Sequence, residues 1–394
     1  MADTYLTRTM TTQGSSIKGT FSCWFKLANS STGDTNGFLG HYFSGDYLFD
    51  ICMQSGHIEV ADHRSNAGGY LLRKRTTAKY RDPNAWYHLY VAVDRSLGTA
   101  EDRCKIYVNG DRVTNFQSTE DANYSQQTSG GHTGAISMNN DYTARVGIRY
   151  NGDEFDGSIS HMHWVDGSVI DIAQFGSTDA TTGEWKINVD GTVADYGTNG
   201  FFIFKDGNTI TDQSSGGSYD FTSNGTGVTK TEDCPSNVFA TANPLDPNSI
   251  SYSVGNTKLN WSQSAGTHGI TTGTLGMTTG KFYWEAKITS ADNSTGIGLG
   301  VIQTEPYLSR TTSTGVDTSL FYGLGARFTT VKAINKTSNS VDSSISDTWS
   351  NDDIIRIAYD GDAGKIYMWK GATELNGQTF SSNTSFNSAT LTAG

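Results

Sequence analysis

Asp153-Glu154-Phe155-Asp156 places three carboxylates in four consecutive positions, and in an extended chain Glu154 and Asp156 share a face. Two carboxylates about 5 Å apart are what a retaining glycoside hydrolase needs to protonate a glycosidic oxygen and attack the sugar. The strand-borne pattern Glu-x-Asp-x-x-Glu is not completed here, because Gly157-Ser158-Ile159 follows. The acids also sit beside Asn151-Gly152, where carboxylates serve to solvate a turn. The run therefore reads as turn chemistry, and the chain reads as a protein without a catalytic constellation. A polysaccharide-degrading enzyme is kept as an alternative; it would lose activity on Glu154→Gln.

Other residues could ligate or stack. His161 and His163, two apart on an expected strand, share a face opposite Met162 and Trp164. Such a pair binds a metal if a carboxylate converges on it; otherwise it is the wet side of a sheet. Asp34 to Asn36, Asn139 to Asp141 and Asp360 to Asp362 are oxygen-rich and would suit calcium, but none has the spacing of a calcium loop, so no cofactor is expected. Tyr42, Tyr70, Tyr80, Tyr124 and Tyr142 are expected in glycine-rich loops, as exposed rings that stack on sugars. Arg73-Lys74-Arg75, with Lys79 and Arg81, reads as a solvated strand end. No phosphate loop or nucleophile elbow is present, and the glycines of GIGLGVIQ belong to a strand.

These side chains would be carried by β-hairpins. AWYHLYVAVDRS followed by CKIYVNGDRV alternates Leu89, Val91 and Val93 against His88, Tyr90 and Asp94, with Asn109-Gly110 supplying positive φ at a turn. DIIRIAYDGDAGKIYMWKG puts Ile355, Ile357 and Tyr359 on one face, turns over 360 to 364, and returns with Ile366 and Met368 inward. GTFSCWFKLA alternates Phe21, Cys23 and Phe25 against Ser22, Trp24 and Lys26. YLFDICMQSGHIEVADHR gives two strands around Ser55-Gly56, and residues 143 to 171 two more around Asn151-Gly152. Each hairpin is expected to be half-buried, with a polar outer face.

The 394 residues include 45 glycines, only 5 prolines and 11% aromatics, which suits many short strands and no long helix. A net charge of −12 argues against a nucleic-acid surface. No stretch approaches the ~18 apolar residues of a membrane helix, and no signal peptide is expected. Cys23, Cys52, Cys104 and Cys234 are widely spaced without a CxxC pair, so no zinc site is expected, and Cys23, Cys52 and Cys104, in strand-like runs, are expected as buried free thiols. Alternation is nearly continuous to about residue 176, loosens, and resumes after Asn243-Pro244-Leu245-Asp246-Pro247. The expected organisation is all-β: a sandwich over 1–178, a glycine-rich irregular β segment over 179–249, and a second sandwich over 250–394.

GTFSCWFKLA, AWYHLYVAVDRS, CKIYVNGDRV and FDGSISHMHWVDG, in that order, resemble laminin-G-like, concanavalin A-like jelly rolls, especially those of phage virion proteins. GKFYWEAKIT, GIGLGVI and NDDIIRIAYDGDAGKIYMWKGA resemble the SPRY domain, a bent β-sandwich used for recognition. A SPRY sandwich continues for several strands after the last hairpin, so a fragment, or a sheet completed by a partner, is expected from the SATLTAG ending. The paired order resembles phage tail-fibre-like proteins. The resemblance implies a virion structural protein, made in the host cytoplasm, in a tail fibre or appendage that contacts host glycans or a receptor. It also implies other virion proteins as partners and a homo-oligomer, a trimer for preference. The sandwich begins within about twenty residues of Met1; this keeps a capsid decoration or head fibre as the first alternative.

Overall fold

In a computed structural model the chain forms two compact units, residues 1–245 with 252–259 and residues 246–251 with 260–394. The structure describes residues 4–15, 17–29, 35–43, 46–64, 69–117, 123–125, 136–139, 141–149, 152–205, 210–215, 220–225, 227–245, 250–261, 271–290, 297–302, 321–327, 330–334, 341–342, 349–363 and 365–374. Asp34, Asn140, Asn151 and the chain end after residue 374, for which the sequence raises expectations, lie outside these. Described helix is confined to three-residue 3-10 turns, and none is long and apolar enough to cross a membrane.

The first unit carries β1 (Tyr5–Thr9), β2 (Lys18–Leu27), β3 (Thr35–Phe43), β4 (Asp46–Gln54), β5 (His57–Arg64), β6 (Gly69–Arg75), β7 (Tyr87–Asp94), β8 (Cys104–Val108), β9 (Asp111–Arg112), β10 (Thr143–Val146), β11 (Gly157–Asp166), β12 (Gly176–Thr178), β13 (Trp185–Ile187), β14 (Phe201–Ile203) and β15 (Thr222–Asn224). Two antiparallel sheets dominate, in the orders β15-β1-β10-β3-β4-β5-β6 and β14-β11-β2-β7-β8-β9. β12 and β13 form a small hairpin. One continuous core joins the inward positions of the first sheet, such as Leu6, Phe49, Ile51 and Val60, to those of the second, such as Phe21, Phe25, Leu89, Val91 and Trp164. The period-2 alternation of each strand supplies one apolar row to this interior. Residues 179–245 add an edge strand to each sheet, β14 beside β11 and β15 beside β1.

Ser55-Gly56 joins β4 to β5, with φ of 53° and 83°, as the sequence indicates. Asn109-Gly110 is also a positive-φ turn, at 50° and 83°, but it joins β8 to β9. β7 and β8 pair across a longer loop that holds a 3-10 turn. The two strands read around residue 151 part company, β10 into one sheet and β11 into the other, with a single bridge between Ile148 and Glu154.

The expected polar outer face of the six-stranded sheet is instead buried. Ser22, Trp24, Lys26, His88, Tyr90 and Ala92 are all shielded from solvent. Phe175 packs on Tyr90 and Ala92 with Ile170, Ile172 and Val193, and Trp185 lies parallel to His88 at 5.8 Å. The indole N–H of Trp185 can only donate, so His88 Nδ1 accepts it at 3.0 Å and the proton sits on Nε2, 2.9 Å from Ser22 Oγ. Burial holds the imidazole neutral, its pKa pulled down to about 3. Lys26 Nζ pairs with Asp233 Oδ2 at 2.8 Å, both side chains at most 4% exposed. The aromatic and polar rows thus face a third layer supplied by later sequence.

The second unit holds β18 (Lys281–Lys287), β19 (Ile297–Ile302), β20 (Phe321–Arg327), β21 (Thr330–Ile334), β22 (Val341–Asp342), β23 (Ile354–Asp360), β24 (Lys365–Lys370) and β25 (Thr373–Glu374); β16 (Ile250–Ser253) and β17 (Lys258–Trp261) form a hairpin before it. Its sheets run β18-β23-β24-β25 and β19-β20-β21-β22. Ile355, Ile357, Ile366 and Met368 are buried and in register, Ile357 opposite Met368, as the alternation requires.

Candidate functional site

The outer face of the seven-stranded sheet gathers the chemistry that strand pairing can bring together. On β4 and β5 the residues between the core positions are Asp50, Cys52 and Glu59, with Cys52 directly opposite Glu59. Arg73 and Arg75 project from β6, Arg75 opposite Glu59. Arg149 arrives from the segment after β10, which crosses β3 at two glycines. A Cβ on Gly37 would lie 2.1 Å from the Arg149 amide nitrogen, and one on Gly40 would lie 2.8 Å from its carbonyl oxygen.

Glu59 is clamped by three guanidinium groups: Arg73 Nε at 3.2 Å, Arg75 Nη2 at 2.6 Å and Arg149 Nη2 at 3.2 Å. Arg75 also bonds Gln54. Arg149 Nε stands 2.8 Å from Asp50 Oδ2, a close ion pair without the alignment of a hydrogen bond. Burial pushes Asp50 up to about 6, against the pull of Arg149 and with a further push from Glu59. Burial likewise raises the Cys52 thiol. Donor atoms of Asp50, Cys52 and Glu59 lie within 4.8 Å of one another, close enough to share an ion. Three guanidinium groups already answer these two carboxylates, so the group reads as a closed charge network.

Guanidinium–tyrosine pairs flank this network. Arg145, on β10, lies 4.1 Å over the Tyr42 ring and 5.8 Å from that of Tyr5, and Arg73 lies 4.4 Å over Tyr70. Tyr42 and Tyr70 are half-buried strand residues of β3 and β6, not loop residues. The other three tyrosines belong elsewhere. Tyr124 is 1% exposed, its hydroxyl donating to Asp62 at 2.6 Å, because the core takes in its ring. Tyr80 packs edge-on against Tyr87 at the core margin. Tyr142 lies beside buried His41.

The remaining sequence candidates resolve as structure. His161 and His163 are buried, not on a wet face: a bulge between Ser160 and His163, with His161 at φ 47°, turns them under residues 196–204. His163 stacks on Phe202 at 3.8 Å and bonds Tyr196 Oη at 2.8 Å. Among the described residues no third donor completes a site with them. The basic run is not a solvated strand end: Lys74 is 1% exposed, over Phe116, and Arg73 and Arg75 answer Glu59, which lies one strand away where sequence gives no hint of it. Asp156 Oδ2 accepts from Asn29, and the Asp153 carbonyl accepts from Gly37 and Arg149 amides. Asn139 bonds Trp164 Nε1 and the Ser15 carbonyl, and Asp360 caps its own turn. Cys23, Cys52 and Cys104 are buried free thiols, as expected, while Cys234 is half-buried. Arg145, Arg149 and Tyr5 escape a sequence reading, because only cross-strand register brings them to the face.

Residues 2–173 match the model of the family described as the concanavalin A-like lectin/glucanases superfamily. No curated protein matches the chain. Among solved structures, a candidate carbohydrate-binding protein from Bacteroides ovatus aligns at 15% identity and TM-score 0.38, over 60% of this chain and 61% of that one. The native heptameric SAP-like pentraxin of Limulus polyphemus aligns at 15% and 0.28, over 43% and 78%. Domains LG4-5 of the mouse laminin alpha1 chain align at 10% and 0.31, over 95% and 74%. The chain thus spans less than two thirds of the first of these, and none bears on what this chain binds. The family match and the two facing sheets agree: the first sandwich is a laminin-G-like, concanavalin A-like jelly-roll domain.

Proposed function

We propose that this chain is a non-enzymatic recognition protein of a phage particle surface, a tail-fibre or appendage component that binds host glycan on the outer face of its seven-stranded sheet. The carrying observation is the pair of guanidinium-capped tyrosines, Tyr42 with Arg145 and Tyr70 with Arg73, on either side of a closed charge network. A sugar offers an apolar C–H face and a rim of hydroxyls. Rings held by guanidinium groups offer an ordered apolar surface beside N–H donors, at little ordering cost on binding. The carboxylates at the centre are buried and arginine-bound, which favours binding over acid–base chemistry. The virion placement rests on the order of sequence segments that resemble a jelly roll followed by a SPRY domain.

The test is retention of the full chain on a printed panel of bacterial surface polysaccharides, with Tyr42→Ala and Arg145→Ala compared. Each variant is expected to weaken binding about tenfold, roughly 1.4 kcal/mol. Unchanged binding in both, or release of reducing sugar abolished by Glu154→Gln, would overturn the reading. Cryo-electron microscopy of the particle tests the position: density on the capsid lattice would replace the tail assignment with a decoration role.

A further inference from the structure

The sheet β18-β23-β24-β25 presents a second face with unusual chemistry. Ile355, Ile357, Ile366 and Met368 point into the unit's interior, so Tyr283, Glu285, Arg356, Ala358, Tyr367 and Trp369 point away from it. An outward antiparallel face is ordinarily polar. Here aromatic residues occupy it, and Tyr283 is 58% exposed.

Register fixes the layout. Tyr283 lies opposite Ala358, and Ala358 opposite Tyr367, so two tyrosines flank a methyl floor across three strands. The next outward row is Glu285, Arg356, Trp369. Tyr367 and Trp369 hold their rings 6.3 Å apart and within 14° of parallel. Arg356 Nε donates to Glu285 Oε1 at 3.2 Å, and the Tyr283 hydroxyl donates to the same carboxylate.

We propose that this face is a second, independent glycan-binding site, an aromatic platform for a neutral polysaccharide strand. The parallel rings offer successive stacking surfaces for sugar C–H faces, and the Ala358 floor leaves room between Tyr283 and Tyr367. The Glu285–Arg356 pair offers both acceptor and donor atoms to hydroxyls beside the rings. The ion pairs described around the platform match their charges and favour a neutral ligand: Glu285 with Arg356, Lys281 with Asp360 at 3.8 Å, Lys287 with Asp352 at 2.8 Å, and Lys370 with Asp353 at 3.1 Å. These pairs offer a polyanion no unmatched cation.

The test is native affinity electrophoresis of the full chain in gels containing dextran, mixed-linkage β-glucan or galactomannan, with polygalacturonate as the acidic comparison. Retardation by at least one neutral polymer is expected. Trp369→Ala and Tyr367→Ala should each weaken it at least tenfold, and Tyr283→Ala, at the most exposed of the three rings, about threefold. Lys186→Ala, at an exposed position of β13 in the first unit, should leave this retardation unchanged, which serves as the control for surface substitution. Far-UV circular dichroism verifies the fold of each variant, and Tyr283→Ala carries the test if a partly buried ring proves necessary for folding. The proposal is overturned if no neutral polymer retards the protein, if polygalacturonate alone does, or if the three variants migrate as wild type. It is equally overturned if the face proves to hold a second copy, seen as self-association that Tyr283→Ala abolishes.

Discussion

Asp233→Ala should cost the first unit a large part of its stability. Lys26 projects from the outer face of β2, and Asp233 meets it at 2.8 Å from a segment more than two hundred residues later. Lys26 Nζ also bonds Thr241 Oγ1 at 3.1 Å. Asp233 additionally accepts from Trp86 Nε1 at 3.2 Å and from the Phe239 amide at 3.0 Å. Removing the carboxylate strands a buried ammonium, which costs about 3–5 kcal/mol, and orphans two further donors. Against a domain stability of about 5–15 kcal/mol, that approaches unfolding. Removing both charges in Lys26→Met with Asp233→Ala leaves only the orphaned donors, so the double variant should recover at least ~2 kcal/mol of the loss. The assay is urea unfolding of the full chain followed by tryptophan fluorescence, with the midpoint compared at constant slope. A loss below ~1 kcal/mol in Asp233→Ala, or a double variant no better than the single, would refute the docking of residues 228–245 on this sheet.

Two further outcomes follow from the same packing. His41 and His88 are held neutral by burial, at about 3, and burial pulls His163 well below its ordinary value; all three bind protons only when unfolded as pH falls below 6.5. Asp50 and Asp166, raised to about 6, bind protons in the folded state first and oppose this between pH 6 and 4. Three protons against two leave stability falling as pH drops through that window. Thermal melts should therefore fall from pH 6 to 4, and a rise would contradict the balance. Gly176→Ala places a methyl 2.5 Å from the Trp185 ring, which also covers Gly110. It should cost about 1–3 kcal/mol, and unchanged melting would show that Trp185 does not dock there.

The strands were legible wherever one alternating row is apolar and the turn residues demand positive φ, as at Ser55-Gly56 and through Ile355 to Met368. The third layer was not, because His88, Ser22 and Lys26 look like solvent-facing residues until Trp185 and Asp233 arrive from distant sequence. The same reason hid the charge network: Arg73 and Arg75 look solvated unless Glu59 is known to lie one strand away. A tyrosine's letter does not distinguish Tyr124, which the core encloses, from Tyr42 on an outer face.

Hydroxyl-radical footprinting of the full chain, with and without a polysaccharide that it retains, tests the central claim most directly by reading each tyrosine separately. Glycan on the outer face of the seven-stranded sheet predicts reduced oxidation of Tyr5, Tyr42 and Tyr70 while Tyr80 and Tyr142 are unchanged. Oxidation of Tyr42 and Tyr70 that stays the same with every retained polysaccharide at saturation would contradict it.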